Sequence, residues 1–486
     1  MSSESALLDV TAQVEGLRSG EFSARELLEA AIERVERLNG QLGSVIHSDF
    51  DWAMDQVEAV EGDKTPLAGV PFLMKDIGGE QGGRPFGAGM ALLARHDYRA
   101  AEDSYFTQKV RKAGLIPFGR TNTPELALLP TTEPVAHGPT RNPWNPEYSS
   151  GGSSGGASAA VAGGLVAAAH ASDGGGSIRG PASMCGLVGL KPTRGRCSFG
   201  PSSGERWSGF SNEFVLTRTV RDSALLLDLL SGAMPGDPYA APPPKHSFSS
   251  SLERPTGPLR IGFLSGSLRG IPPHPDFIQA VEHCAAVFES LGHQVEQAHP
   301  VALEDTATIV HYLTVVTCNV ARAIEAWQEK LGIEISPDDV EPLTWALAER
   351  GREIPATQLL ASIEYVHQLG RRFASWWEGG FDVLMTPTQA APPPRIGQLA
   401  SNPDEPMAPF VLSSPYGIYT LPFNLSGQPA ISLPGGVTQG GGDWPAGLPL
   451  GVQLVGSQGE EGLLLSLARQ WEEASPWSSH RPAIFG

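Results

Sequence analysis

The chain has 486 residues, 41% of them hydrophobic and 18% charged, which is enough apolar material for a sizeable core and too few charges for a disordered chain. A formal net charge of −19 argues against a broad nucleic-acid-binding surface. Glycine and proline number 57 and 42, about one residue in five, as in a globular protein with many turns and close backbone approaches.

The four cysteines, Cys185, Cys197, Cys284 and Cys318, have no metal-ligand spacing and are too few for a disulfide framework, so a reducing cytoplasm is expected. The N-terminus lacks the basic region and apolar core of a signal peptide. The longest run of small apolar residues, 157–171, is short and broken by glycine, so no membrane span is expected there.

In chain order, Ser23-Ala24-Arg25-Glu26 is a capping box, followed by Leu28, Ala31, Ile32, Val35 and Leu38 at helical spacing and an expected stop at Asn39-Gly40. A second helix is expected around residues 52–60, giving an N-terminal helical layer over about 1–63. From Leu67 the texture changes. Residues 67–74 read as a buried strand, 104–113 as a helix and 115–120 as the next strand, with further short apolar runs at 165–169, 187–190 and 214–217. The signature-bearing core spans about 64–232. A Pro- and Ser-rich surface connection over 235–258 leads to a strand at 259–264 and an amphipathic helix at 277–291. Residues 305–378 are mostly helical, a layer or insertion. Strands at 381–385, 430–433 and 450–455 and a helix at 461–473 finish the chain. Short strands alternating with helices predict an α/β fold with a buried mixed sheet, in one domain over 1–486.

Chemistry concentrates in two glycine loops, Gly151-Gly152-Ser153-Ser154-Gly155-Gly156 and Gly174-Gly175-Gly176-Ser177. Hydroxyls beside exposed backbone N–H groups suit acyl transfer, which needs a nucleophile and donors for a developing oxyanion. A phosphate cradle would need Gly-Lys-Ser/Thr, which is absent. Residues 151–155 do match G-x-S-x-G, but a nucleophile elbow needs a strand before it, and residues 141–148, with two prolines and two asparagines, read as loop. No serine stands three residues before any of the seven lysines, so S-x-x-K is absent. Lys75 ends an apparent buried strand, where desolvation lowers an amine's pKa and leaves a base. Adjacent Asp76 reads as an ordinary salt-bridge partner at a strand end.

Together these pieces resemble the amidase signature family. Residues 67–76 resemble its lysine motif, and 151–156, 173–179 and 181–193 its Ser- and Gly-rich signature. Residues 119–125, 140–145 and 424–434 fit as flanking pieces. The resemblance spans nearly the whole chain and implies the family fold, a single large domain whose central mixed β-sheet is covered by helices on both faces. It also implies a Ser–cis-Ser–Lys triad with no metal or other cofactor. Ser177 matches the nucleophile, Ser153 the bridging serine on a cis peptide, and Lys75 the base. The N–H groups around Gly174, Gly175 and Gly176 match the oxyanion hole, with Ser172, Asp173 and Arg179 supporting it. Gly174, and Ser172 within Ala171-Ser172-Asp173, depart from the usual pattern. Gly180 stands where a bulkier residue is common, and is expected to widen the acyl pocket. Leu128, Leu129 and Cys318 are further pocket candidates, although core packing accounts for each. His137 and His170 are left out of the chemistry.

The implied activity is hydrolysis of the carbon–nitrogen bond of a small or medium amide through an acyl-enzyme. Linear or cyclic amides, anilides and carbamates (a urethanase activity) fit the same machinery, and a homodimer is allowed for. Residues 131–134, 142–145 and 189–196 are similar to those of a bacterial subgroup, the 6-aminohexanoate cyclic dimer hydrolases. The alternative is the A subunit of the glutamine-dependent tRNA amidotransferase, which would act with partner subunits.

Overall fold

The capping box forms: Ser23 Oγ accepts the Glu26 N–H while the Glu26 carboxylate accepts the Ser23 N–H, opening the helix Ala24–Leu42. The helix does not stop at Asn39-Gly40. Asn39 stays helical and its Oδ1 accepts the N–H groups of Ser44 and Val45 at 2.9 and 2.8 Å, so its side chain secures the exit instead. Termination falls to Gly43, left-handed at φ 60°.

The computed structural model describes residues 2–60, 65–254 and 256–486. The expected boundary at 63/64 lies outside them. The strands among these residues are β1 (Val45–Ser48), β2 (Pro71–Lys75), β3 (Ile116–Thr121), β4 (Arg141–Asn142), β5 (Asn145–Ser149), β6 (Ala168–Asp173), β7 (Val188–Lys191), β8 (Asn212–Thr217), β9 (Arg260–Phe263), β10 (Gln294–Gln297), β11 (Val383–Pro387), β12 (Ala430–Gly441) and β13 (Trp444–Gly456). Eleven form one sheet in the order β1-β3-β2-β6-β8-β7-β12-β13-β11-β9-β10, and β4 and β5 form a separate hairpin. β2 runs parallel to both β3 and β6, and β9 to both β10 and β11, whereas the pairs from β6 to β11 through the centre are antiparallel. The sheet is mixed, as expected.

β2 starts later than residue 67. Gly69 (φ 91°) turns the chain, and Leu67 and Gly69 donate to Ala113 and Gly114 carbonyls before the strand begins at Pro71. β1 lies inside the stretch read as purely helical, and the connection over 235–258 carries a short helix, Phe248–Ser251, pinned by buried Phe248.

Alternation along the late strands divides the interior in two. Val383 and Met385, Ile431 and Leu433, and Val452 and Leu454 enter one apolar core. Leu384, Ala430 and Val455 enter another, on the opposite face. The first core packs under helices including Ala24–Leu42, Val220–Leu230, Pro275–Ser290 and Glu461–Ala474; the second packs under Ala307–Leu331, Pro342–Glu353 and Ala356–Glu378. By length and composition alone Ala307–Leu331 is apolar enough to cross a membrane, but half of its most apolar stretch is buried inside the protein.

Candidate active site

β2 and β6 are parallel neighbours, with Leu73 opposite Ala169, so their carboxyl ends place Lys75 beside Ser172 and Asp173. This end of parallel strands is where open α/β sheets build their sites. A second approach comes from the turn between β5 and the wholly buried helix Gly155–Ala162, where the Gly152–Ser153 peptide is cis. Nothing larger than glycine fits there: a Cβ on Gly152 would stand 2.5 Å from the Thr131 carbonyl oxygen. Thr132 holds the turn, its Oγ1 donating to the Gly151 carbonyl and accepting the Gly155 N–H.

Lys75 is fully buried, and its Nζ lies 2.7 Å from Ser153 Oγ, 2.9 Å from Ser154 Oγ and 3.0 Å from Ser172 Oγ. Burial pulls its pKa down from 10.5 to about 7, opposed by the negative charges of Asp173 and Glu213. His170, whose Nδ1 accepts the Lys75 N–H at 3.2 Å, is kept neutral by burial and by the charge of Lys75.

The loop after β6 is fixed by Asp173. Its carboxylate accepts the N–H groups of Gly176 (2.8 Å) and Ile178 (3.1 Å), the guanidinium of Arg179 at Nε and Nη2 (both 2.9 Å), and Asn424 Nδ2 (2.9 Å). Burial opposes its ionisation, but Arg179 and Asn424 hold it well below the usual carboxylate range. Arg179 also reaches the Thr420 carbonyl, Gln453 Oε1 and Asn424 Oδ1. The loop therefore presents Ser177 from a rigid support. Among the described residues no hydrogen bond engages the Ser177 hydroxyl, and Ser177 lies on the wall of a cavity of about 310 Å³ together with Gly152, Gly175 and Gly176.

A carbonyl bound in that cavity would meet a serine and backbone amides, with an uncharged-capable lysine behind a second serine, which is an arrangement for acyl transfer. Known proteins share the sequence and the fold. The family described as Amidase matches residues 26–465. A 6-aminohexanoate-cyclic-dimer hydrolase of Paenarthrobacter ureafaciens is 40% identical over 98% of this chain and 96% of its own. A solved structure of 6-aminohexanoate cyclic dimer hydrolase complexed with substrate has a TM-score of 0.95 at 39% identity, covering 99% and 100% of the two chains. A bacterial aryl acylamidase of the amidase signature enzymes has a TM-score of 0.85 at 28% identity, covering 97% of each. The chain belongs to the amidase family. It is a hydrolase of carbon–nitrogen bonds other than peptide bonds.

In this amidase Leu128 and Leu129 line the cavity, but Cys318 and Gly180 do not. Cys318 sits on the helix Ala307–Leu331, turned toward the Gly351 carbonyl of the next helix, where its sulfur packs. Gly180 lies one layer behind: a Cβ there would stand 3.0 Å from Gln389 Nε2, and it is Gln389 that forms the wall. Gly174 is also behind the wall, against Trp207, where a Cβ would be 3.1 Å from the indole. The Gly176 N–H is already committed to Asp173 and is not available to an oxyanion. Asp76 is no partner of Lys75, because its carboxylate accepts the Gly87 and Gly89 N–H groups and shapes that loop.

The amidase does have a strand, β5, before the residues matching G-x-S-x-G. It belongs to the separate hairpin, and Ser153 is 1% exposed with its hydroxyl at Lys75, so the turn does not present an exposed elbow serine. Residues that sequence reading did not assign to the site are Ser154, the second hydroxyl at Lys75, Asn424 and Gln453 at Arg179, and Gln389 and Tyr312 on the cavity wall. The Ser-Ser doublet is a local signal for Ser154. Asn424 opens the flanking piece 424–434, and Gln453, Gln389 and Tyr312 come from distant chain segments with no local signal.

Proposed function

We propose that Ser177 attacks the carbonyl of a small or medium amide while Ser153 relays its proton to neutral Lys75. The proton returns by the same route to the leaving amine, and water releases the acid from the acyl-enzyme, which is the Ser-Lys form of triad logic. With the Gly176 N–H engaged, the amides of Gly174, Gly175 and Ser177 are the loop donors left for the oxyanion, and of these Gly175 and Ser177 are on the cavity wall. Ser172 orients Lys75, and Asp173 and Arg179 hold the loop. The observation that carries this reading is Lys75: a fully buried amine with a pKa near 7, 2.7 Å from Ser153, behind the cavity that Ser177 lines.

The cavity is walled largely by Leu128, Leu129, Ile271, Ile309, Phe410 and Leu421, which suits an aliphatic or aryl amide. The likeness to a hydrolase named for the 6-aminohexanoate cyclic dimer makes that lactam a first substrate to try, with anilides and carbamates after it. In this reading the chain acts in the cytoplasm without nucleic acid or membrane, in keeping with four free thiols, and a homodimer is compatible with it. It takes precedence over the amidotransferase subunit because the 40% identity is to a hydrolase matched along almost its full length.

The test is labelling with a serine-directed fluorophosphonate, followed by peptide mass spectrometry and an amide, anilide, carbamate and lactam panel. The expected adduct is on Ser177 and is lost in Lys75→Ala. An adduct on Ser154, or hydrolysis that survives Ser177→Ala, overturns the assignment.

A further inference from the structure

The cavity beside Ser177 has one charged side chain among its lining residues, Arg269. Its position is built by a tight turn. Leu268 and Ile271 bridge each other, with N–H to carbonyl bonds of 3.2 and 3.0 Å in both directions, and leave Arg269 and Gly270 as a two-residue tip with φ of 48° and 79°. Such a tip favours Asn-Gly or Gly-Gly, because both central residues need positive φ. Arginine has no local reason to stand there, and an outlier of this kind beside a site points to a role for its side chain. Leu268 is fully buried and Ile271 lines the cavity, so the tip is anchored on both sides.

The guanidinium is aimed as well as placed. Its Nη2 donates to the Ile418 carbonyl at 3.1 Å, and Ile418 follows Gly417, which lies against the Gly175 carbonyl. The Nε is buried without a partner. The acids that act on its charge, Glu304 and Asp305, make their contacts elsewhere, Asp305 with Arg372 at 2.8 Å and Glu304 with His299 at 3.0 Å. Among the described residues none forms an ion pair with Arg269. The result is a fixed cation without an ion-pair partner on the wall of a largely apolar cavity, held near the loop that carries Ser177 and acted on from farther off by Glu304 and Asp305.

We propose that Arg269 recognises a carboxylate on the substrate, so that the preferred amides are those bearing a carboxylate several bonds from the carbon–nitrogen bond cleaved. This deepens the reading of the same cavity given above and rests on it. A guanidinium pairs with a carboxylate through directed, charge-assisted hydrogen bonds. A single fixed cation matches one negative charge, whereas a phosphate dianion would call for more.

Substrate twins decide it: the mono-p-nitroanilide of adipic acid, which keeps one free carboxylate, against the p-nitroanilide of hexanoic acid, for the acyl side, and N-hexanoyl-4-aminobutyrate against N-hexanoyl-butylamine, for the amine side. The wild type is expected to prefer the carboxylated twin of one pair by at least ten-fold in kcat/KM. Arg269→Gln is expected to reduce that ratio at least ten-fold, mostly through KM, with partial recovery in Arg269→Lys. No preference in either pair, or a ratio unchanged in Arg269→Gln, overturns the proposal. If the wild type cleaves none of the four, the reading of Ser177 is left to the wider panel and the labelling, and calorimetric binding of the adipic acid mono-p-nitroanilide to Ser177→Ala still decides this one. Binding that is the same with and without Arg269→Gln sinks it; binding that weakens at least ten-fold supports it.

Discussion

Lys75 is surrounded by three hydroxyls and, among the described residues, forms no ion pair. As an ammonium it can donate to all three; as an amine it donates to two and keeps a lone pair. Ser154 Oγ donates to the Ser172 carbonyl at 3.2 Å, so toward Lys75 it acts as an acceptor. That leaves the lone pair of the neutral amine for another hydroxyl, and Ser153 is the nearest. Activity should therefore rise with pH through about 7, because only the neutral amine is a base. A pH–rate profile of kcat/KM from pH 5 to 9 checks this, and a flat profile refutes it. Ser154→Ala removes an acceptor from the ammonium and should move the midpoint to lower pH. Lys75→Met should cost roughly 10²- to 10⁴-fold in kcat. The same shift makes a stability statement. Between about 7 and 10.5 the unfolded chain binds a proton that the folded chain refuses, so stability rises with pH across that window. Lys75→Met should accordingly gain more in Tm at pH 6 than at pH 10. Lys75, Ser153 and Ser177 stand out in the sequence as candidates because each sits in a short, unusual run. The commitment of the Gly176 N–H was not, since it depends on which way a neighbouring carboxylate folds back.

Among elements, the connection from β3 to the cavity wall rests on a buried acid. Glu125 opens a short turn in which Leu126 and Ala127 are left-handed, at φ 48° and 59°, and which delivers Leu128 and Leu129 to the cavity. Its Oε1 accepts the Glu341 N–H at 2.7 Å, tying the turn to the start of the helix Pro342–Glu353. Burial, and then the charge of Glu341, push the Glu125 pKa up to about 8. For an acid with a raised folded pKa the folded chain holds the extra proton, so its favourable contribution is complete below about 4.5 and is lost as pH rises through 8. Glu125→Gln keeps the acceptor and removes the ionisation. It should match the wild type at pH 5 and exceed it by at least about 2 °C in Tm at pH 9; thermal scans at both pH values check the difference, and an equal offset at both would contradict it. The helices divide by legibility. Tyr105–Ala113 was visible from its period, and Ser104 caps it as its position before the helix suggests. Gly155–Ala162 was not, because all eight residues are buried and small, so no polar face marks a period. Its glycines serve close approach: a Cβ on Gly156 would stand 2.2 Å from the Asn122 nitrogen.

For the whole molecule, the layered α/β architecture was legible from short apolar runs alternating with helices, but the strand order was not. β7 pairs with β12 although Gly189 and Ser432 are far apart in the chain, and β12 and β13 extend well past the apolar residues that announced them. Their polar outer halves pair with each other, so hydrophobicity marks only the part under the helices. This topology couples the two cores. β11, β12 and β13 send alternate residues to opposite faces, so neither core can be released without breaking strands that the other needs. Leu454→Ala opens a cavity in one core and should cost about 2–5 kcal/mol, and Phe423→Ala opens one in the other at about 3–5 kcal/mol. Each variant should still unfold in one transition, coincident by circular dichroism and by the fluorescence of tryptophans spread from Trp52 to Trp477. Two separated transitions in Phe423→Ala would mean that the helical layer bearing Tyr312 and Ile309 melts on its own. In that case activity, which needs the cavity those residues wall, should disappear with the first transition and not the second.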